Sequence, residues 1–139
     1  MSEKMKPYHL IILFLFSSPL SASESLVTGD IDCDGKNDIA KTTHTKNKVK
    51  IIVELGNGKK SNELIFGLGN SLYQDHLCGN KGTLNTETLA KDLSEMIGEN
   101  PEGYKPSNSC IGLQLSGGEC DSFHIFWNHK TKELNWWRL

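Results

Sequence analysis

The sequence predicts an α+β domain of antiparallel β meanders with one amphipathic helix, stapled by two disulfides. Apolar and polar residues alternate through Val49, Ile51, Val53 and Leu55, the mark of a half-buried strand. Farther on, Leu89, Ala90, Leu93, Met96 and Ile97 recur at helical spacing. The four cysteines, Cys33, Cys78, Cys110 and Cys120, all follow an N-terminal export signature, and an even count in a small exported chain reads as disulfides.

That signature occupies residues 1–23. Lys4 and Lys6 precede the apolar run Leu10–Phe16, and small residues with Pro19 follow, which is the layout of a secretory signal peptide cleaved after Ala22 or Ser23. The run is shorter than the ~20 residues a permanent membrane anchor requires. What remains, 24–139, is one domain by length. Charged residues make up 23% and apolar residues 37% of the chain, and acidic residues outnumber basic ones 17 to 15. That balance argues against disorder and against a nucleic-acid binder, which concentrates Lys and Arg on one face.

Leu26-Val27 opens the domain and an acidic loop follows. Ile39–Thr45, rich in Thr, suits a strand, and Lys46-Asn47-Lys48 a turn. The alternating strand Val49–Leu55 comes next, then a Gly56–Lys60 hairpin turn and a strand at Glu63–Leu68. The helix is expected over about 87–97, capped by Asn85 or Thr86 and stopped by Gly98 with Asn100-Pro101. A loop over 99–109 leads to a second meander at Ile111–Leu115, Ser122–Trp127 and Leu134–Arg138.

If Cys110 begins a strand that turns at Ser116–Glu119, it lies ~16 Å from Cys120 at ~3.3 Å per residue, too far to bridge. The expectation is therefore Cys33–Cys120 with Cys78–Cys110, and the fallback is Cys33–Cys78 with Cys110–Cys120.

Asp30-Ile31-Asp32-Cys33-Asp34-Gly35-Lys36-Asn37-Asp38 places carboxylates at loop positions 1, 3, 5 and 9, a glycine at 6 and the Lys36 carbonyl at 7. Such spacing lets Asp30, Asp32, Asp34, Lys36 and Asp38 converge on one cation, and hard oxygen donors in a flexible loop suit Ca²⁺. The run resembles the Asp-x-Asp-x-Asp-Gly-x-x-Asp calcium loops of FG-GAP and VCBS-type repeats, with a shorter likeness to dockerin and EF-hand loops. An EF-hand would carry Glu at position 12, where this chain has Lys41, and would continue in a helix, whereas Ile39 onward reads as a strand. The resemblance implies a calcium loop in a β-hairpin. A propeller is excluded because a single loop is present. Without the position-12 carboxylate, affinity is expected near ~10⁻⁴–10⁻³ M unless Glu119 or Asp121 is brought in by a Cys33–Cys120 bridge. The ending Phe126–Arg138 is similar to the endings of small exported bacterial proteins, a likeness that implies no activity.

Candidates for catalysis are few. Asp75-His76 could serve as an acid–base pair. His124 lies in a strand and reads as structural, and Trp127, Trp136 and Trp137 read as packing more than as a surface for recognition. The expectation is an exported, periplasmic or secreted, calcium-binding protein that acts by binding a protein partner, as a periplasmic inhibitor or immunity protein does. The alternative is a small secreted hydrolase.

Overall fold

A computed structural model describes residues 24–69 and 72–139. The expected signal peptide lies outside the described residues. Among those described, nine strands form two sheets. The first contains β1 (Leu26–Gly29), β2 (Asp38–His44), β3 (Lys48–Glu54), β4 (Asn62–Leu68) and β5 (His76–Leu77), in that order. Its strands pair antiparallel except β5, which runs parallel to β4 in a short register opposite Gly67 and Leu68. The second sheet is an antiparallel meander of β6 (Thr83–Leu89), β7 (Ser107–Ser116), β8 (Phe123–Asn128) and β9 (Glu133–Trp137).

The α+β expectation is overturned: strand accounts for 48% of the described residues and helix for 4%, in one short helix, α1 (Leu93–Ile97). Most of the span expected to be helical lies outside α1. Residues 87–89 end β6, where Thr86 pairs with Leu113 and Thr88 with Ile111. Leu84 packs in the main core while Leu89 packs in a smaller cluster on the opposite face of the sheet, as strand alternation requires. Met96, counted in the apolar helical stripe, is 59% exposed. Cross-strand pairing and the β-branched Thr86 and Thr88 outweigh the helical period, of which only Leu93 is buried within α1.

The first meander follows the alternation closely. Val49, Ile51 and Val53 of β3 are fully buried, and β2 and β4 flank them in continuous register. They meet β7 and β8 across a core whose centre is aromatic. Phe66 lies 4.2 Å from Phe123, and Trp136 sits edge-on to both rings at 5.8 and 5.0 Å between centroids. Trp136 and Trp127 are thus packing residues, and Trp137 stacks on His124 at 4.0 Å.

The two sheets meet along two seams. Near β1 and β6, the Leu84 N–H donates to Ser25 Oγ and the Gly82 N–H to His44 Nε2, at 3.2 and 3.0 Å. Near β4 and β9, Phe66 touches Trp136, and the Arg138 guanidinium donates to the carbonyls of Gln74 and His76. Toward the N-terminal ends of β4 and β9 this second seam opens into a groove of about 1250 Å³.

Both disulfides form, in neither of the expected pairings: Cys33 bonds Cys110, and Cys78 bonds Cys120. The Ile111 N–H donates to the Asp30 carbonyl at 2.9 Å, which lays the acidic loop beside the start of β7 and delivers Cys33 to Cys110. Gly79 packs against Gly117 and Gly118 of the β7–β8 turn so closely that a Cβ on it would lie 2.7 Å from the Gly118 nitrogen. That contact places Cys78 beside Cys120. Cys110 and Cys120 do not bond each other, and the partner of Cys33 depends on where its loop docks.

Candidate metal site

The acidic loop leaves β1 after Gly29 and enters β2 at Asp38, and these two residues face each other in the β1–β2 register. It is therefore the tip of a β-hairpin, with Gly35 at φ 86° and Cys33 at φ 63° supplying the reversals that an L side chain resists. Oxygens of Asp30, Asp32 and Asp38 lie within 4.8 Å of one another.

Asp38 is wholly buried. Its Oδ2 accepts the N–H groups of Ile31 and Asp32 at 2.7 and 3.2 Å, and its Oδ1 accepts the Gly56 N–H at 2.8 Å. Backbone dipoles thereby stand in for the water the carboxylate has lost. Asp30 accepts the N–H groups of Asp34 and Gly35 at 3.1 and 2.9 Å, curling the loop around its own first residue. Asp32 is half-buried, and burial, together with the negative charge of Asp38, raises its pKa above the usual carboxylate value. A cation would reverse that penalty.

Asp34 and Lys36 stand on the exposed tip, outside the converged trio. The Lys36 N–H bonds Asp34 Oδ1 at 2.8 Å, and this bond lowers the Asp34 pKa. Sequence reasoning missed Asn57. Its Nδ2 donates to Asp32 Oδ2 at 3.1 Å and to Asp34 Oδ2 at 2.9 Å, from the β3–β4 turn. Gly56 beside it approaches so closely that a Cβ would lie 2.2 Å from the Asn37 carbonyl. The Gly-Asn-Gly composition indicated a turn; nothing in it indicated which loop that turn would meet.

Each carboxylate oxygen that accepts one N–H retains a further lone pair. The donor set is hard oxygen throughout, so the trio fits a hard cation. Cys120 is bonded to Cys78, so no bridge brings Glu119 or Asp121 to the loop, and neither belongs to the trio.

The histidine pairs lie elsewhere. His76 Nδ1 meets Asp75 Oδ1 at 2.8 Å on the surface, and this bond lowers the Asp75 pKa. His124 Nδ1 meets Glu87 Oε2 at 2.8 Å across the second sheet. Gly112, paired with Glu87, leaves room for that side chain to cross. Neither pair hydrogen-bonds a serine, threonine or cysteine side chain among the described residues. No helix among those residues is long and apolar enough to cross a membrane. No protein-family model, curated protein or solved structure matches the chain.

Proposed function

We propose that this chain is an exported calcium-binding module that acts by engaging a protein partner, in the manner of a periplasmic inhibitor or immunity protein. The observation that carries the calcium half is the convergence of Asp30, Asp32 and Asp38 within 4.8 Å around a fully buried Asp38. Its likeness to the Asp-x-Asp-x-Asp-Gly-x-x-Asp loops of FG-GAP and VCBS-type repeats supports Ca²⁺ as the ion. The two disulfides agree with an oxidising compartment outside the cytoplasm, periplasmic or secreted.

Calcium on this trio would stabilise the hairpin that Cys33 fastens to β7, and the fold would present its surfaces to a partner without performing chemistry. Scanning calorimetry in millimolar Ca²⁺, in Mg²⁺ and in chelator tests the calcium half. A cation that binds only the folded state raises stability by ~2.7 kcal/mol at one hundred times its Kd. The expected result is a melting temperature higher in Ca²⁺ than in chelator, with a smaller rise in Mg²⁺, which demands stricter octahedral geometry. Identical melting in all three would reduce the loop to a self-bonded acidic turn.

A further inference from the structure

We propose that Asn57 is a self-modifying residue: attack by the Gly58 backbone nitrogen converts its amide, through a cyclic imide, into an aspartate or isoaspartate that sets a new carboxylate against Asp32 and Asp34. The chemistry stands on the turn alone, whereas its consequence for cation binding rests on the calcium reading above.

An asparagine cyclises when the nitrogen of the next residue reaches its side-chain carbonyl carbon, and a following glycine leaves that approach open because it carries no side chain. Asn57-Gly58 is the one Asn-Gly step in the sequence. It lies in the turn between β3 and β4, where Gly56, Gly58 and Lys59 are exposed. A Cβ on Gly58 would meet nothing within 4 Å, so no neighbour stands over the reacting nitrogen. Attack breaks the 3.2 Å bond from the Gly58 N–H to the Leu55 carbonyl, and water replaces it at this exposed position. The electrophile is already polarised. Asn57 Oδ1 accepts the Lys59 N–H at 2.9 Å, which stabilises the negative charge gathering on that oxygen as the new C–N bond forms.

The step needs only water and base. Solvent hydroxide takes the Gly58 amide proton, the nitrogen bonds Asn57 Cγ, and the Cγ–Nδ2 bond breaks as Nδ2 takes a proton from water and leaves as ammonia. Hydroxide is thereby restored. Water then opens the imide at either carbonyl, so water is consumed as ammonia is released. The departing group is the one that donates to Asp32 Oδ2 at 3.1 Å and to Asp34 Oδ2 at 2.9 Å. A carboxylate in its place turns both hydrogen bonds into like-charge contacts and adds a negative neighbour to the trio of Asp30, Asp32 and Asp38. The turn that Gly56 fastens to Asp38 then depends on a cation to stay against the acidic loop.

Ageing the disulfide-bonded protein in chelator at mildly alkaline pH, with peptide mapping at intervals, tests the chemistry. The peptide spanning Asn57 should gain the mass that exchange of NH₂ for OH brings, ahead of every other asparagine of the chain, and should divide into aspartate and isoaspartate forms. Gly58→Ala should slow that gain severalfold. If a side chain at the positive φ of Gly58 disturbs the turn, Asn57→Gln, whose longer side chain forms its imide slowly, should abolish the gain in the same peptide. Asn57→Asp supplies the aspartate form directly. Its melting temperature in chelator should fall about 5 °C below that of the parent, and Ca²⁺ should raise it by more than it raises the parent.

No mass gain at Asn57 over weeks, a gain confined to protein held unfolded in denaturant, or an Asn57→Asp variant that melts with the parent in chelator would each overturn the proposal. An Asn57→Asp variant that loses stability in chelator and regains none in Ca²⁺ supports the modification and its cost to the turn, and counts against the calcium reading alone.

Discussion

Asp38 and Gly56 are joined by a 2.8 Å hydrogen bond that ties the first residue of β2 to the turn after β3. With the two N–H groups it accepts from Ile31 and Asp32, this makes Asp38 both a corner of the carboxylate trio and the peg on which the loop hangs.

The two roles separate by mutation. Asp38→Ala leaves buried N–H groups without an acceptor and should lower stability by roughly 2–4 kcal/mol even in chelator. Asp32→Asn should act differently. The folded state disfavours the ionised Asp32 carboxylate, so neutralising it should leave the chelated protein at least as stable while removing the calcium-dependent melting shift. Calorimetry of both variants with and without Ca²⁺ makes the comparison, and a calcium shift retained in Asp32→Asn would show that the charge of Asp32 is not needed for binding, since an amide carbonyl can still ligate the ion.

Because Cys33 lies inside the acidic loop and is bonded to Cys110, the loop's geometry depends on that bridge. Replacing both cysteines by serine should cost about 2–4 kcal/mol and weaken Ca²⁺ binding together. Removing Cys78 and Cys120 should cost stability while leaving calcium affinity little changed, since that bridge fastens the β7–β8 turn to the end of β5. Peptide mapping without reductant should recover Cys33 linked to Cys110 and no alkylated thiol.

Trp136 fits edge-on to Phe66 and Phe123, whereas Trp137 stacks on a half-buried histidine. Trp136→Ala should therefore destabilise the fold by about 3–4 kcal/mol, and Trp137→Ala by less. Chemical denaturation distinguishes them, and equal losses would show that His124 and Trp137 belong to the core as fully as the Phe66 cluster does.

Burial, then the neighbouring charges of Lys132 and Lys105, hold the His129 pKa below the usual histidine value. The unfolded chain takes up this proton first as pH falls, so the associated stability is present above the ordinary histidine range and is lost as pH drops through the folded-state value. An NMR titration of the His129 ring should give a midpoint under about 6.5. Lys132→Glu should move that midpoint upward; an unmoved midpoint would assign the depression to burial alone.

The first meander was legible because Val49, Ile51 and Val53 announce their face by alternation, and the loop was legible because its carboxylates are close in sequence. What the chain concealed were contacts between distant segments. Asn57 reaches Asp32 from 25 residues away, and the Cys33 partner is set by the docking of Asp30 on Ile111. At Leu89–Ile97 a local helical rhythm misled, because β6 is held by pairing with β7, which lies beyond α1 and a loop. Local periodicity records which side of an element is apolar, whereas partner choice depends on the whole sheet.

The edge of β4 that β5 leaves unpaired among the described residues is a hazard at high concentration, since a bare strand accepts backbone from a second copy of the same chain. Like charges answer that hazard. Two copies pairing in parallel register along β4 would press Lys59 and Lys60 of one against the same lysines of the other, and the molecules would repel before their backbones aligned. Neutralising those two lysines should turn a monodisperse solution into one that forms strand-linked oligomers, visible by light scattering.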